Sequence, residues 1–534
     1  MNRTRVWLPL VVTLGWLAAS IAGNPALAAE NSPAAAQPPV TFNQHIAPIV
    51  FRHCAGCHRP GEVAPFSLLS YAEVSKRADH IQAVTAQRSM PPWKPAAAVG
   101  QFANARRLSD DEIALIDRWV RQGSPEGDKH DLPPAPSFAD GWQLGPPDLI
   151  VKVPEPLKVP ASGRDIYLNL VLDLRVPQGK YLRAAEFRPS NRRVVHHSIL
   201  FYDRTGKARE RDAAEAGPGF VAVTPPGQLL PGPMSIWAPG RRPVPLATGL
   251  SFPWPEKADL VLQLHLHPSG KPEVEQSSVG FYFTDEPPRR SLLDAVLIDR
   301  KIDIPPGEKA FHTHDTCTLP IDMEAMWIFP HMHMIGRQIK VTAQLPDGRL
   351  QPLLEIDDWD FNWQDLYQFA EPVRLPKGTE ITLDGVHDNS ADNPLNPSDP
   401  PKRVKWGEQT FDEMSIAFLN LVPVRESDMP EFAAHPSRRV HAAIVPEATR
   451  KQMPVAKPKA PPSAAEHAQR TAEMMRKVDT NGDGKLSVAE ISASLAKRVP
   501  TAEIAKQLAR FDRDGDQQLN ASEASEALRA LGKR

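Results

Sequence analysis

The feature that most constrains the fold of this chain is the pattern of residues 145–425. Short runs rich in β-branched and aromatic residues follow one another there, such as "DLVLQLHLHP" and "EMSIAFLNLVPV", separated by Pro, Gly, Asp and Asn turns. Runs of this kind predict antiparallel strands, and about 280 residues suffice for about two β-sandwiches. We therefore predict two antiparallel β-sandwich domains of jelly-roll-like character, at residues 150–285 and 286–428.

Histidines recur within these strand-like runs. They are His196, His197, His265, His267, His312, His314, His331, His333 and His387. Side chains at positions i and i+2 of a strand share a face, so a His-x-His pair presents two imidazoles to one side. An isolated histidine is usually structural or exposed, but a series of pairs indicates metal sites. Copper suits imidazole best, and zinc is the alternative on ligand chemistry alone.

Four motifs carry a family resemblance: the "HH" pair, "LVLQLHLH", "HMHMIGR" and "GEQTFDEMSIAF". In this order they resemble the copper type II, ascorbate-dependent monooxygenases, the peptidylglycine and dopamine hydroxylase group. The resemblance implies two sandwich domains that face each other across a water-filled cleft, each carrying one copper ion. It places the electron-storing copper on His196, His197 and His265, and the oxygen-activating copper on His331, His333 and Met414.

The other histidines of the β region lie outside these two ligand sets. We interpret His267 as a neighbour in the wall of the first site. His312 and His314 form a second His-x-His pair but lack the "IGR" continuation and precede the lone Cys317. We therefore leave them out of the two sites, with a supporting role or a third site as open alternatives. His387 is predicted to structure its loop.

The sequence departs from the peptide-amidating branch at three positions. That branch binds a substrate carboxylate through an Arg two residues before the His-x-His pair, and uses an Asn and a Tyr after the Met. The matching positions here are Phe329, Ile416 and Phe418. Because all three are apolar, a small apolar substrate is predicted rather than a peptide C-terminus.

A c-type haem attachment motif, "CAGCH", spans Cys54 to His58. Two thiols three residues apart on a helical turn can each add to a haem vinyl group, and His58 then ligates the iron. A zinc or redox Cys-x-x-Cys is the alternative. However, the chain has no second cysteine pair for zinc, and a plain redox pair has no need of His58. Residues 40–127 are thus predicted to be an α-helical cytochrome c-like domain holding haem c through Cys54, Cys57 and His58.

The second axial ligand of this haem is open among Met90, His80, His45 and His53. Met90 is preferred because Pro91 and Pro92 hold an extended loop that can bring its thioether over the haem. The same domain contains "SDDEIALIDRWVRQG", which predicts a helix that begins with a capping box and ends at glycine.

Two acidic loops near the C-terminus, "DTNGDGKLSVAE" and "DRDGDQQLNASE", have the EF-hand ligand spacing. The predicted calcium ligands are Asp479, Asn481, Asp483, the Lys485 carbonyl, Ser487 and Glu490, then Asp512, Asp514, Asp516, the Gln518 carbonyl, Asn520 and Glu523. Gly484 fits the sharp turn at position 6 of the first loop, whereas Gln517 takes that position in the second, which predicts a weaker site. Residues 471–534 are predicted to be an α-helical EF-hand pair.

The ends and charge of the chain bear on its location. Arg3 and Arg5 precede an apolar stretch and the Ala26–Ala28 triplet, which indicates a cleaved signal peptide at residues 1–28; a membrane anchor is the alternative. We predict a periplasmic or secreted protein with no membrane span after cleavage. A net charge of −2 without a block of Lys or Arg argues against nucleic-acid binding. Residues 429–470 are Pro/Ala-rich and predict a flexible linker.

Together these motifs predict a copper-dependent monooxygenase that hydroxylates a C–H bond of a small apolar substrate with O₂. Its cofactors would be two copper ions, haem c and calcium. Electrons would arrive through the haem, from an ascorbate-like reductant, or from a redox protein. The alternative is a non-catalytic haem and copper protein for electron transfer or copper handling, with calcium-dependent docking.

Overall fold

The computed structural model describes residues 39–103, 105–138, 141–434, 439–452, 464–494, 505 and 508–531. The chain divides into two compact units, Met1–Arg450 and Lys451–Arg534. The predicted signal peptide lies outside the described residues. Among the helices that are described, none is both long and apolar enough to cross a membrane.

The first unit begins with a helical domain. Its elements are a π-helical turn Phe42–Ile46, α1 Ala47–His53, α2 Tyr71–Ser75, α3 Ala78–Ala86, α4 Asp110–Arg121 and a 3-10 turn Lys129–Asp131. The predicted capping box of α4 is confirmed: the Ser109 hydroxyl accepts the Glu112 N–H at 3.1 Å, and the Glu112 carboxylate accepts the Ser109 N–H at 2.8 Å. The helix stops just before Gly123, whose φ of +82° suits glycine.

A first β domain follows, held by long-range antiparallel pairing. Its strands are β1 Leu149–Lys152, β2 Leu157–Val159, β3 Ile166–Leu172, β4 Tyr181–Arg188, β5 Val195–Asp203, β6 Phe220–Val221, β7 Gln228–Leu229, β8 Ile236–Trp237, β9 Asp259–Leu266, β10 Glu273–Glu275 and β11 Ser278–Thr284; α5 is Lys207–Ala214 and Gly232–Met234 is a 3-10 turn. The main sheet has the order β6-β3-β9-β5-β7, with β8 on β5. A smaller sheet has the order β1-β11-β4, and β2 pairs with β10. The central strand β9 is buried from Leu260 to Leu266 because sheet neighbours flank it on both sides.

The second β domain has two main sheets. Its strands are β12 Leu292–Ile298, β13 Asp303–Ile304, β14 Phe311–Thr318, β15 Met323–Met332, β16 Gly336–Gln344, β17 Leu350–Ile356, β18 Tyr367–Leu375, β19 Glu380–His387, β20 Val404–Lys405, β21 Ser415–Pro423 and β22 Val440–Ile444. The sheets have the orders β18-β15-β21-β12-β22 and β14-β19-β16-β17, and β13 pairs with β20. The prediction of a mainly antiparallel β architecture for this region is confirmed.

The predicted linker is partly folded. Residues 426–452 form a 3-10 turn Glu426–Asp428, α6 Met429–Ala434, β22 and α7 Glu447–Gln452. β22 extends the five-stranded sheet by pairing with β12, and its end residues Val440 and Ile444 are buried. The second β domain thus receives one more strand from beyond residue 429, and this strand lies within the Pro- and Ala-rich part of the sequence. Residues 453–463 of the predicted linker lie outside the described residues.

The second unit contains both acidic loops. Its elements are α8 Ala464–Val478, β23 Lys485–Ser487, α9 Val488–Ser494, β24 Gln518–Asn520 and α10 Ala521–Leu531. β23 and β24 pair antiparallel, with Leu486 opposite Leu519 and both side chains buried. The two loops are thus joined back to back through their eighth positions.

Candidate metal and haem sites

Three histidines of the first β domain converge on one point. His197 on β5 lies opposite His265 on β9. Neighbouring residues of a regular strand point to opposite faces, but the register shifts between Val195 and His197, so His196 is the extra residue of a bulge. The bulge is what allows the adjacent pair to face the same side as His265.

The spacing of this histidine trio fits a single metal ion. The Nδ1 atom of His196 lies 3.2 Å from the Nδ1 atoms of both His197 and His265, and the last two are 3.4 Å apart. Metal–imidazole bonds of about 2.0 Å at tetrahedral angles separate ligand nitrogens by about 3.3 Å. Burial, and then the neighbouring His265, lowers the pKa of His196 to about 4, so the imidazole is neutral and able to bind a metal at neutral pH.

Asp165 supports the trio from behind. His265 donates from Nε2 to one Asp165 oxygen at 2.8 Å, which leaves Nδ1 unprotonated and aimed at the shared point. Burial opposes ionisation of Asp165, but hydrogen bonds from His265 and His267 outweigh it and hold its pKa at about 2. His267 donates to the other carboxylate oxygen at 2.7 Å, and its side chain is 66% exposed. It therefore lies outside the trio.

The second predicted ligand set lies at the end of β15. The rings of His331 and His333 have centroids 5.0 Å apart. His331 donates from Nδ1 to Gln364 Oε1 at 2.6 Å, and His333 donates from Nδ1 to the Asp412 carbonyl at 3.1 Å. Both rings thus keep Nε2 free for a metal.

The pairing of β15 with β21 places Met414, the third predicted ligand, beside the two histidines in the sheet. Met414 directly precedes Ser415, which lies opposite Met332, the residue between the two histidines. Its side chain is buried. A thioether together with two imidazoles is a soft ligand set that suits copper better than zinc.

A buried carboxylate that the sequence did not reveal as important lies beneath this set. Glu413 Oε1 accepts the backbone N–H of His333 at 2.5 Å and that of Met414 at 2.8 Å. Its other oxygen is 3.7 Å from Nδ1 of His387, which is also fully buried. Burial disfavours the carboxylate, but the neighbouring His387 outweighs it and lowers the pKa of Glu413. His387, predicted to structure its loop, thus lies under the second ligand set.

The pair His312 and His314 is not brought to either set. Both side chains are exposed on β14, and His314 donates to Asp384 at 2.8 Å. In the part of the chain that the structure describes, they join no third cluster of metal-ligating side chains.

The predicted haem motif follows α1. Cys54 and Cys57 bracket one helical turn, and the His58 N–H bonds to the Cys54 carbonyl at 2.9 Å. His58 donates from Nδ1 to the Phe66 carbonyl at 3.2 Å, so Nε2 is available to an iron. Burial, with Cys57 beside it, raises the pKa of the Cys54 thiol to about 12.

The candidates for the second haem ligand differ in environment. Met90 lines a pocket with Thr85, Trp93 and Ile113, among other residues. His80 is exposed, His45 accepts the Thr41 N–H at 3.1 Å, and His53 lies 3.3 Å from Glu112. Met90 thus remains the predicted ligand.

The acidic loops of the second unit hold several of the predicted calcium ligands close together. One carboxylate oxygen from each of Asp512, Asp514 and Asp516 lies within 4.8 Å of the others. In the first loop, Glu490 accepts the N–H groups of Thr480 and Ser487, both at 3.0 Å, which turns its carboxylate toward the loop.

Comparison with known proteins connects the β region to a family. The profile of the copper type II ascorbate-dependent monooxygenase C-terminal domain matches residues 291–429. A curated relative, MOXD1 homolog 1 of Drosophila melanogaster, is 23% identical over 230 residues, which are 40% of this chain and 30% of the relative. The chain therefore spans about three-tenths of the length of that relative.

A solved structure, the infectious bursal disease virus VP2 subviral particle, aligns at 11% identity over 56% of this chain and 76% of its own. Its TM-score of 0.17 is too low to support any structural argument. The family profile and the curated relative together support a relationship of this chain to the copper type II ascorbate-dependent monooxygenases, carried above all by residues 291–429.

Proposed function

We propose that this protein is a copper monooxygenase that hydroxylates a C–H bond of a small apolar substrate. The observation that carries the proposal is the convergence of the His196, His197 and His265 Nδ1 atoms to within 3.2–3.4 Å, together with a separate His-His-Met set inside the family match. The net reaction consumes the substrate, O₂, two electrons and two protons, and gives the alcohol and water.

Bound copper supplies one-electron chemistry and the reduction of O₂. The protein's own contribution is to hold neutral imidazoles. At the second set, burial and then His333 lower the pKa of His331 to about 4. This ring is therefore neutral at neutral pH, and a proton does not occupy the nitrogen that would bind the metal. The Met414 thioether favours the reduced ion, which is the form that reacts with O₂.

An apolar wall beside His331 supports an apolar substrate. The Phe329 ring is nearly parallel to that of His331, with centroids 6.4 Å apart. Phe329 lies opposite Phe418 across the β15–β21 pair, and Ile416 lies opposite His331. These side chains offer no charge or hydrogen bond to a substrate carboxylate. Specificity would therefore come from apolar contact and exclusion of water.

The helical domain is proposed to bring electrons to the copper ions. It belongs to the same compact unit as the β domains, and residue contacts join them. The Ala96 N–H bonds to the Glu355 carbonyl at 2.8 Å, and Phe102 forms an isolated bridge with Phe369. Haem c would accept electrons one at a time from an ascorbate-like reductant or a redox protein.

The remaining parts of the proposal concern location and calcium. We place the protein in the periplasm or outside the cell, where c-type haem attachment and copper loading are compatible with its motifs. The EF-hand pair would bind calcium and dock the enzyme on a partner, with the Pro/Ala-rich stretch as a tether.

The test combines metal analysis with O₂ uptake on a panel of small apolar substrates. Two coppers and one haem per chain are expected, with substrate-dependent O₂ consumption. His331→Ala is expected to lose about one copper and all hydroxylation but keep the haem spectrum. The matched control His314→Ala, at an exposed histidine of the same domain, should behave as wild type. A fully loaded protein that consumes no O₂ with any substrate would instead favour the electron-transfer or copper-handling alternative.

A further inference from the structure

Residues 360–366, which lie in the loop between β17 and β18, contact all three domains of the first unit. Asp365 accepts a hydrogen bond from Arg106 of the helical domain at 2.9 Å. Its other oxygen is 3.9 Å from Nε of Arg241 in the first β domain. Asp365 itself belongs to the second β domain. All three side chains are at least two-thirds buried, so one carboxylate neutralises part of two guanidinium charges at the junction.

Arg106 is also linked to the haem attachment motif through Gly240. It donates from Nη1 to the Gly240 carbonyl at 3.4 Å. A Cβ added to Gly240 would lie 3.3 Å from the Cys57 Sγ atom, and this glycine has a φ of +81°. The backbone of the first β domain is therefore packed directly against the attachment thiol, and Arg106 ties this contact to Asp365.

The residue next to Asp365 contacts the second ligand set. Gln364 donates from Nε2 to the Phe361 carbonyl at 2.9 Å, which fixes the orientation of its amide. Its Oε1 atom accepts the 2.6 Å hydrogen bond from His331. One peptide bond thus separates the residue that holds the helical domain from the residue that orients a predicted copper ligand.

Phe361 links the two histidine groups. Its ring is stacked on His196 of the first trio, with centroids 5.6 Å apart and an interplanar angle of 17°. The same ring meets His333 of the second set edge-on, at 6.0 Å and 83°. In this structure one aromatic ring therefore stands between a ligand of each set, in the region where the family resemblance implied an open cleft.

We propose that residues 361–365 are the connector through which electrons pass from the haem motif to both histidine sets. The inference rests on the proposed function and names the route within it. With haem and copper bound, each transfer would carry one electron from a ferrous haem to a cupric ion, leaving ferric haem and cuprous ion, with no proton transferred. An ascorbate-like reductant then restores the ferrous haem. Arg106 and Asp365 are positioning residues, since they hold the helical domain against the route, and Gln364 and Phe361 make the contacts at the ligands.

The test is anaerobic stopped-flow mixing of the full protein, with its haem reduced and its coppers oxidised, followed at the haem absorbance and by the cupric electron paramagnetic resonance signal. Asp365→Asn should slow haem reoxidation measurably, because it removes the charge that ties Arg106 of the helical domain to the connector. Copper content and haem content should stay near wild type, whereas the melting temperature should fall because Arg106 and Arg241 lose their buried counter-charge. Asp365→Glu, which keeps the charge, should recover most of the rate.

Asp358→Asn is the matched control. Asp358 pairs with Lys94 of the helical domain at 3.0 Å, so it also joins the domains, but its side chain is 76% exposed and precedes the connector. Its variant should transfer electrons at the wild-type rate. Arg106→Gln removes the other partner of the Arg106–Asp365 ion pair. It replaces Asp365→Asn as the test variant if that variant loses metal, and it should slow haem reoxidation equally.

The outcomes separate the two levels of the proposal. A wild-type protein whose haem is not reoxidised by its coppers overturns the haem's role in the proposed function. A wild-type protein that transfers electrons, with Asp365→Asn or Arg106→Gln as fast as Asp358→Asn, overturns the connector alone.

Discussion

The fully buried Glu413 side chain accepts the backbone N–H of His333 at 2.5 Å. The same oxygen accepts the N–H of Met414. One buried carboxylate therefore fixes the backbone at two of the three predicted ligands of the second set, which come from different segments of the chain.

Removing this carboxylate should release both ligands. Glu413→Ala would leave two buried N–H groups without an acceptor, at a cost of about 1–3 kcal/mol each. We expect a lower melting temperature and loss of about one copper per chain. Glu413→Gln keeps an amide oxygen that can accept both bonds, so it should retain most of the copper. Metal analysis with thermal unfolding measures both effects, and full copper occupancy in Glu413→Ala would contradict the role.

Asp165 should control the first set through His265. Asp165→Ala removes the acceptor that keeps the proton on Nε2 of His265, so Nδ1 is no longer held ready for the metal. The affinity of this set for copper should fall by about 10- to 100-fold. Competition titration with a copper chelator measures the change.

His267→Ala is the control for that titration. His267 bonds to the same carboxylate but is exposed and outside the trio. Its removal should change the affinity by no more than about threefold, since it touches the ligand only through Asp165. A loss as large as that of Asp165→Ala would mean that His267 is itself a ligand.

The features that could be predicted from the sequence are those that depend on short local patterns. The capping box of α4 and the strand-like runs depend on residues close together in the chain, and the structure contains both. The predicted copper ligands were recognised through the order of four motifs. Strand periodicity alone would have predicted that His196 and His197 point to opposite faces of the sheet. The bulge that brings both to one face cannot be predicted from the "HH" pair.

The supporting residues were missed for a different physical reason. Asp165 lies a hundred residues before His265 and reaches it only through the register of β3 with β9, which local patterns do not specify. The connector, "FNWQD", has no strand or helix period, so its contacts depend wholly on tertiary packing. Glu413 did carry a signal: it is an acidic residue two positions before the apolar strand β21, where burial demands partners.

A half-buried acid on β12, the strand that lies between β21 and β22 in the sheet, should make stability depend on pH. Burial raises the pKa of Asp294 to about 6, although the amide of Asn420 donates to it at 2.5 Å. The native state therefore holds a proton that the unfolded chain releases between pH 3.8 and 6. The stabilisation is complete below pH 3.8 and is lost as the pH rises through 6, by up to about 3 kcal/mol.

Asp294→Asn should remove this dependence. Asparagine is neutral at every pH and keeps an oxygen for Asn420. The variant should match wild type near pH 4 and exceed its free energy of unfolding at pH 7 by up to about 3 kcal/mol. Urea midpoints measured from pH 4 to 7 test this, and a difference between the two proteins that stays constant over that range would contradict it.

The sixth residue of the second acidic loop should weaken the calcium binding that we predict for this loop. Gln517 has a φ of +66°, and its N–H bonds to Asp512 at 2.9 Å. Gly484, the matching residue of the first loop, has a φ of +78° and bonds to Asp479 at the same distance. This left-handed turn points the N–H at the first ligand, and it costs a residue with a Cβ about 1 kcal/mol.

Exchanging the two residues should reverse which loop binds calcium more tightly. The strained turn must be held in the calcium-loaded loop, whereas an ion-free loop can relax. Gln517→Gly should therefore tighten calcium binding at the second loop by up to about fivefold. Gly484→Gln should weaken the first loop by a similar factor. Calorimetric titration of the full protein resolves the two sites when Glu490→Gln or Glu523→Gln silences the other loop. If neither exchange changes the affinity, the turn does not cause the difference in calcium affinity between the two loops. The weaker binding predicted for the second loop must then arise from its ligand set.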